Sequence, residues 1–425
     1  MKQKRTKIIC TIGPSTESYR DLKELHSAGM NVARINMTHS DHRSAKKIIQ
    51  RIHKLNSSLE NPIGILLDTQ GPEIRTGDTG QTLDLEPGEV VSFTVRDGLD
   101  VESTSIHVNY DDLIDSVKVG GIITVDNGLM NFKVLKKSDN KIECKVLDGG
   151  KLKGKRHINL PGIRINLPSI TEKDKRDILF GLKQKIDFIA LSFVRNHKDI
   201  EDLEVFLGSN RKKLKIIAKI EDQEGLKNID SIAKASDGVM VARGDLGIET
   251  DLANLPNIQR KIMHTCTKLG RRSIVATHLL ESMIENPSPT RAEVTDIANA
   301  IRQGTSALML SGETASGDYP LEAVQTMSKV CAHVEQGLES IHSSPALSKY
   351  RATRAVAHAG VTLSKEENVA MLLVASQNGN AARLVSAYRP KCPITVFTNK
   401  MAVSYTHLRA HETLRYRVCR NGRVK

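Results

Sequence analysis

Eight short runs of nearly continuous apolar residues punctuate the chain: KIICTIG (7–13), VARINM (32–37), GILLDT (64–69), DFIALSF (187–193), KIIAKIE (215–221), GVMVAR (238–243), SIVATH (273–278) and ALMLSG (307–312). Unbroken runs of this length mark strands covered on both faces, because a half-exposed strand would alternate. Segments of helical period lie between most of them, such as STESYRDLKELHSAG at 15–29 and EKDKRDILFGLKQ at 172–184. Thr171 with Asp174 predicts a capping box at the start of the second. Eight strands alternating with helices predict an α/β fold, a closed (β/α)8 TIM barrel. A doubly wound open sheet is the structural alternative.

The runs finish in Arg34 and Asn36, Asp68 and Thr69, Ser192, Lys219 and Glu221, Arg243 and Asp245, Thr277 and His278, and Ser311 and Glu313. Barrels of this kind carry their active sites at the C-terminal strand ends. One polar strand end is ordinary; seven of eight point to a site. The regularity breaks between the third and fourth runs. There VVSFTV, GGIITVDNG, LMNFKVLKK and KIECKVLDGG are separated by Gly, Asp and Asn turns, the pattern of an inserted all-β domain. It leaves and re-enters at the catalytic end, where it could act as a lid. After about residue 345 the order helix (348–367), strand (369–376), helix (380–389), strand (393–399) opens a small α/β domain. The expected division is therefore 1–74 with 166–344 for the barrel, 75–165 for a β-barrel lid, and 345–403 for a partial C-terminal α/β domain. Residues 404–425 are set apart, since SYTHLRAHET resembles translated sequencing-adapter read-through and the native chain is expected to end differently.

Composition narrows the function. The 425 residues are 39% hydrophobic and 26% charged, ordinary for a globular protein. No apolar run approaches the length of a bilayer span, and MKQKRTKIICTIGPS lacks a secretory apolar region. The six cysteines are scattered, with no Cys-x-x-Cys and no zinc spacing. Together these predict a reduced, cytoplasmic protein with no membrane partner. The net charge of +13 suggests anionic partners, although +5 of it sits in 404–425. A basic RNA-binding protein is one reading of that charge. The 3% aromatic content, the lack of Trp and the absence of a nucleic-acid motif argue against it.

Eight motifs then converge: NVARINMTH (31–39), LLDTQGPEIRTG (66–77), NLPG (159–162), AKIE (218–221), MVARGDLG (240–247), ATHLLESM (276–283), PTRAE (289–293) and MLSGETASGDYP (309–320). In this order, from about residue 5 to about 403, they closely resemble the pyruvate kinase family. The resemblance implies a barrel with an inserted lid and a C-terminal α/β domain. It implies phosphoryl transfer from phosphoenolpyruvate to ADP, giving pyruvate and ATP, with Mg²⁺ (or Mn²⁺) and K⁺ as cofactors, and a homotetrameric native parent.

Both substrates are anionic, and Mg²⁺ is usually held by one or two carboxylates plus substrate oxygens. Glu221 and Asp245 end neighbouring strands and could face one ion; as bare strand ends they could equally be ion-pair partners. Lys219 lies two residues before Glu221, on the same side of its strand. The resemblance gives it the transferring phosphoryl group and the developing enolate; a Schiff-base lysine is the competing role. By resemblance Arg34 contacts the phosphoryl group and Arg75 the nucleotide phosphates. Asn36, Thr38, His39 and Arg156 match further nucleotide-side positions. Gly244 and Asp245 match the segment that binds the substrate carboxylate, and Thr277 a substrate-side hydroxyl. Asn36, Thr38, Asp68 and Thr69 match the K⁺ site, all offering oxygen. Here Gln70 replaces the commoner Lys, Thr38 the commoner Ser, Arg156 a common Lys and His278 the usual Gln. A metal-dependent lyase or aldolase acting on pyruvate enolates shares the paired carboxylates, but needs neither the 75–165 insertion nor the nucleotide-side motif.

Overall fold

The computed structural model describes residues 4–77, 82–95, 105–126, 128–163, 167–338, 351–366, 368–377 and 379–397. All eight apolar runs form strands: β1 (Lys7–Thr11), β2 (Val32–Asn36), β3 (Gly64–Asp68), β4 (Phe188–Leu191), β5 (Lys215–Ile220), β6 (Gly238–Ala242), β7 (Arg272–Ala276) and β8 (Ala307–Leu310). Each pairs in parallel with its sequence neighbours, and β8 returns to β1, so the sheet closes into a TIM barrel. The open-sheet alternative is thereby excluded.

Alternation along the strands builds two cores. Ile9, Val32, Leu66, Phe188, Ile217, Met240 and Ile274 belong to one buried cluster, which fills the barrel. Their neighbours, such as Ile8, Ile35, Leu67, Ile189, Ile216 and Val241, join the larger cluster beneath the helices. The helices start where short polar side chains can take orphan amides. Capping boxes close at Ser18 with Asp21, Thr171 with Asp174, Asn196 with Asp199, and Thr290 with Glu293.

The insertion forms a seven-stranded sheet in the spatial order 74–75, 157–159, 122–125, 130–137, 141–146, 90–94, 105–107. A single antiparallel bridge from Thr76 to Val108 joins its two edges. Phe93 and Phe132 meet edge to face in its core, with ring centroids 5.2 Å apart. The outgoing strand Ile74–Arg75 and the returning strand His157–Asn159 pair antiparallel, so both connections to the barrel run side by side.

Beyond the barrel, helix Arg351–Glu366, strand Leu372–Ala375, helix Asn380–Ala387 and strand Ile394–Phe397 form a small unit with two parallel strands. The Arg389 guanidinium reaches the Gly304 carbonyl of the barrel, and Arg5 reaches the carbonyls of Pro390 and Lys391. The tail set apart at 404–425 lies outside the described residues.

Candidate active site

Inward positions repeat every second residue along a strand. Two residues above the apolar layer of Ile9, Val32, Leu66 and Ile217 stand Thr11, Arg34, Asp68 and Lys219. The interior therefore changes from hydrocarbon to charge within one layer, at the C-terminal end. Arg34 Nε donates to Asp68 Oδ2 at 2.6 Å and its Nη1 to Thr11 Oγ1 at 2.9 Å. Lys219 Nζ lies 3.1 Å from Asp68 Oδ1, 3.0 Å from Glu221 Oε1 and 2.7 Å from Ser192 Oγ. The other Glu221 oxygen accepts the Phe193 amide at 2.6 Å.

Burial alone would lower the Lys219 ammonium; the Asp68 and Glu221 carboxylates outweigh it and hold the group well above the ordinary lysine value. Burial likewise opposes ionisation of Asp68, but Lys219 and Arg34 keep its carboxyl below the usual range. Glu221 goes the other way. Burial pushes it up to about 7 despite Lys219, and Asp245 adds to the rise. Asp245 is also raised, by desolvation first, with Glu73 and Asp68 adding while Lys219 opposes. Three carboxylates thus surround two cations, and the two carboxyls nearest the mouth carry the imbalance.

Asp245 is not on β6 itself. It falls in the first turn of the short helix Arg243–Glu249 that follows the strand. The Arg243 side chain is buried scaffold: it binds Asp296 at 2.6 Å and collects the carbonyls of Ala276, Thr277 and His278. Those contacts hold Thr277 and His278 at φ 68° and 53°, consecutive non-glycine residues in the left-handed region. The turn presents Thr277 Oγ1 to the Gly244 amide, which donates to it at 2.8 Å.

The residues matched to the nucleotide and K⁺ flank this centre. Asn36 and Asp68 are register partners on β2 and β3. Asn36 Oδ1 accepts the Thr38 amide at 3.2 Å, and its carbonyl accepts the amide of His39 at 3.2 Å. Thr69 Oγ1 and carbonyl both engage Ser192, at 3.1 and 2.7 Å. Burial lowers the pKa of His39, and the nearby Arg75 guanidinium adds to the drop. Arg75 is paired with Glu73 at 2.6 Å, and Gln70 Nε2 reaches the same Glu73 oxygen at 3.4 Å. Arg156 stands apart on the insertion, its guanidinium 3.4 Å from Asp126.

Sequence reasoning missed the structural partners of these groups. Ser192 was visible only as a polar strand end, yet it links Lys219 to Thr69. His157, on the returning strand, puts Nδ1 3.7 Å from Asp245 Oδ1. Neither has a sequence signal of its own, since the contact depends on where a strand returns. Among the described residues no group of three or more His, Cys, Asp or Glu has metal-holding geometry.

A barrel whose C-terminal mouth holds two fixed cations among carboxylates, beside an inserted β unit, defines an enzyme of anionic substrates. The barrel-domain model of pyruvate kinase matches residues 3–324 and the α/β-domain model of pyruvate kinase matches 354–420. The second match reaches into 404–425. Plastidial pyruvate kinase 2 of Arabidopsis thaliana is 43% identical over 94% of this chain and 70% of its own length. A pyruvate kinase of Geobacillus stearothermophilus is 44% identical over 95% and 70%. A solved pyruvate kinase structure from Cryptosporidium parvum superposes with a TM-score of 0.92 at 38% identity, covering 98% of this chain and 87% of that one. The chain belongs to the pyruvate kinase family, phosphotransferases that move a phosphoryl group from phosphoenolpyruvate to ADP, giving pyruvate and ATP.

Proposed function

We propose that the cluster around Lys219 performs this transfer. In the reaction the bond between phosphorus and the enolate oxygen breaks while a bond to a terminal oxygen of ADP forms, and the enolate is then protonated to pyruvate. Little covalent work falls to the protein, so positioned charge is the main requirement. Lys219 and Arg34 are the cations for the phosphoryl group, and Lys219 also faces the charge left on the enolate. The observation that carries this reading is the Lys219 ammonium, locked by Asp68, Glu221 and Ser192 and held fully charged. A permanently charged, fixed ammonium suits electrostatic stabilisation and disfavours a Schiff-base role, which needs a neutral amine. Thr277 and the Gly244–Asp245 turn provide the side of the pocket for the rest of phosphoenolpyruvate.

Glu221 and Asp245 fit a divalent cation, Mg²⁺ or Mn²⁺: both are hard oxygen donors, and both carry raised pKa values, from burial first and then from neighbouring carboxylates. Bound there, the ion would neutralise phosphate charge. Asn36, Thr38, Asp68 and Thr69 bring oxygens suited to K⁺. Arg75, Arg156, His39 and Asn36 are assigned to ADP, with residues 75–165 as a lid over it. No helix among the described residues is long and apolar enough to cross a membrane. The five described cysteines are buried and form no disulfide with one another, which supports the cytoplasm as the compartment.

In a coupled assay with phosphoenolpyruvate, ADP, Mg²⁺ and K⁺, Lys219→Met should lower kcat by about 10²–10³-fold or more while KM moves less. Asp245→Asn should raise the Mg²⁺ needed for half-maximal rate. Wild-type turnover in the first variant, or an unchanged Mg²⁺ titration in the second, would reject the respective assignment.

A further inference from the structure

The paired connecting strands of the insertion meet the barrel at a seam. A cavity of about 140 Å³ lies there, lined by apolar residues including Pro72, Ile158 and Phe193, with Asn159 and Glu249 in its wall. Asn159 ends the returning strand and is 3% exposed; Glu249 ends the helix that begins at Arg243 and is 7% exposed. Asn159 Nδ2 donates to Glu249 Oε1 at 3.2 Å, while Asn159 Oδ1 is buried and has no donor among the described residues. The backbone carbonyl of Glu249 is itself fixed by Gln223 Nε2 at 2.5 Å.

A carboxylate only accepts hydrogen bonds, so an ionised Glu249 leaves Asn159 Oδ1 unsatisfied, which is costly at this depth. A neutral carboxyl repairs the defect. Its O–H can donate to Asn159 Oδ1 while its other oxygen keeps the Nδ2 bond, closing a two-bond ring between the side chains. The surroundings favour that proton. Burial pushes the Glu249 carboxyl up to about 7, Asp222 and Asp245 add to the rise, and the Asn159 and Gly162 hydrogen bonds oppose it. Arg195, Glu224 and His157 are the other charged or titratable groups in the cavity wall.

We propose that Glu249 is a positioning residue whose protonated carboxyl clasps Asn159, and so fixes the returning strand of the insertion to the helix whose first turn carries Gly244 and Asp245. The consequence for catalysis rests on the substrate role proposed for that turn; the clasp does not. A group whose proton affinity is higher in the clasped than in the opened, solvated state tightens the clasp at low pH. The clasp is therefore fully set below the ordinary Glu value of 4.5 and loosens as pH rises through about 7.

Hydrogen exchange of the 157–163 amides, followed from pH 5.5 to 7.5, tests this. Glu249→Gln is the control, because a carboxamide offers the same donor and acceptor without a titrating proton. Relative to that variant, wild-type opening should increase about tenfold or more over the interval. The wild-type KM for phosphoenolpyruvate should rise over the same interval with a smaller change in kcat, and should stay flat in Glu249→Gln. Asn159→Asp should move the wild-type transition to higher pH, since a second carboxylate raises the proton affinity of the pair. Parallel exchange in wild type and Glu249→Gln, or an unmoved transition in Asn159→Asp, would overturn the clasp. A pH-linked exchange with a pH-independent KM would keep the clasp and overturn its link to the substrate side.

Discussion

Glu73 shows how one side chain can tune a site it does not enter. Its carboxylate holds the Arg75 guanidinium at 2.6 Å and accepts Gln70 Nε2 at 3.4 Å, and its charge helps to raise Asp245. Its negative charge is felt by both His39 and Asp245, close to Asn36, Thr38, Asp68 and Thr69, the residues proposed for a monovalent cation. Replacing Glu73 by Lys brings a fixed charge instead. Glu73→Lys should reduce the dependence on K⁺, lowering the ratio of rates in K⁺ and in a bulky organic cation by about tenfold, the factor expected for about 1.4 kcal/mol of altered charge interaction. An unchanged ratio would remove Glu73 from the account of cation dependence. The residue types at the site were legible in the sequence because catalytic charge must stand at strand ends. Their partners were not. Ser192 reads as any polar strand end, and nothing in a one-dimensional pattern marks Thr277 and His278 as left-handed until Arg243 is seen gathering their carbonyls.

At the level of elements, Asp174 joins a helix start to the loop that follows β3. One oxygen closes the capping box, accepting the Thr171 amide at 3.0 Å and its hydroxyl at 2.7 Å. The other accepts the amides of Gln70 and Gly71 at 3.1 and 3.2 Å, and the side chain is fully buried. The cap read from sequence is therefore also an anchor for the segment between Thr69 and Glu73. Asp174→Ala strips four bonds and should destabilise the protein by about 2–4 kcal/mol, with activity falling at temperatures where the fold persists. Urea unfolding with matched kinetics measures both, and a loss under about 0.5 kcal/mol would refute the anchor role. The barrel strands were visible because their runs are apolar on both faces. In the insertion, strands 90–94, 122–125, 130–137 and 141–146 were visible by their turns. Strands 74–75, 83–85, 105–107, 150–152 and 157–159 are two or three residues long, too short to show a period, and two of them carry the connections on which the Asn159 clasp depends.

Over the whole molecule, stability is unevenly spread. The barrel has a cluster of more than fifty buried apolar residues under its helices and a second inside its strands, and its sheet has no free edge. The insertion buries a core of its own, including Phe93 and Phe132. The core cluster of the described C-terminal unit holds only eight buried apolar residues, among them Val361, Leu384, Ile394 and Val396, and its two described strands have open edges. Val356, Leu363, Met371 and Leu373 are exposed on it, apolar surface that contributes nothing to its cohesion. A two-stranded sheet with so small a core is marginal by itself. Its described ties to the barrel run largely from the Arg5 and Arg389 guanidiniums to carbonyls, and burial lowers the Arg389 pKa to about 10. In native-state hydrogen exchange on the 425-residue chain, the amides of Leu372–Ala375 and Ile394–Phe397 should therefore open at a free energy about 2 kcal/mol or more below those of β5 and β6. Because every residue assigned to phosphoryl transfer lies in the barrel or the insertion, that opening should occur with phosphoenolpyruvate protection of the barrel mouth intact. Equal opening energies in the two regions would mean that the C-terminal unit and the barrel unfold as one cooperative body, and the argument from core size would fail.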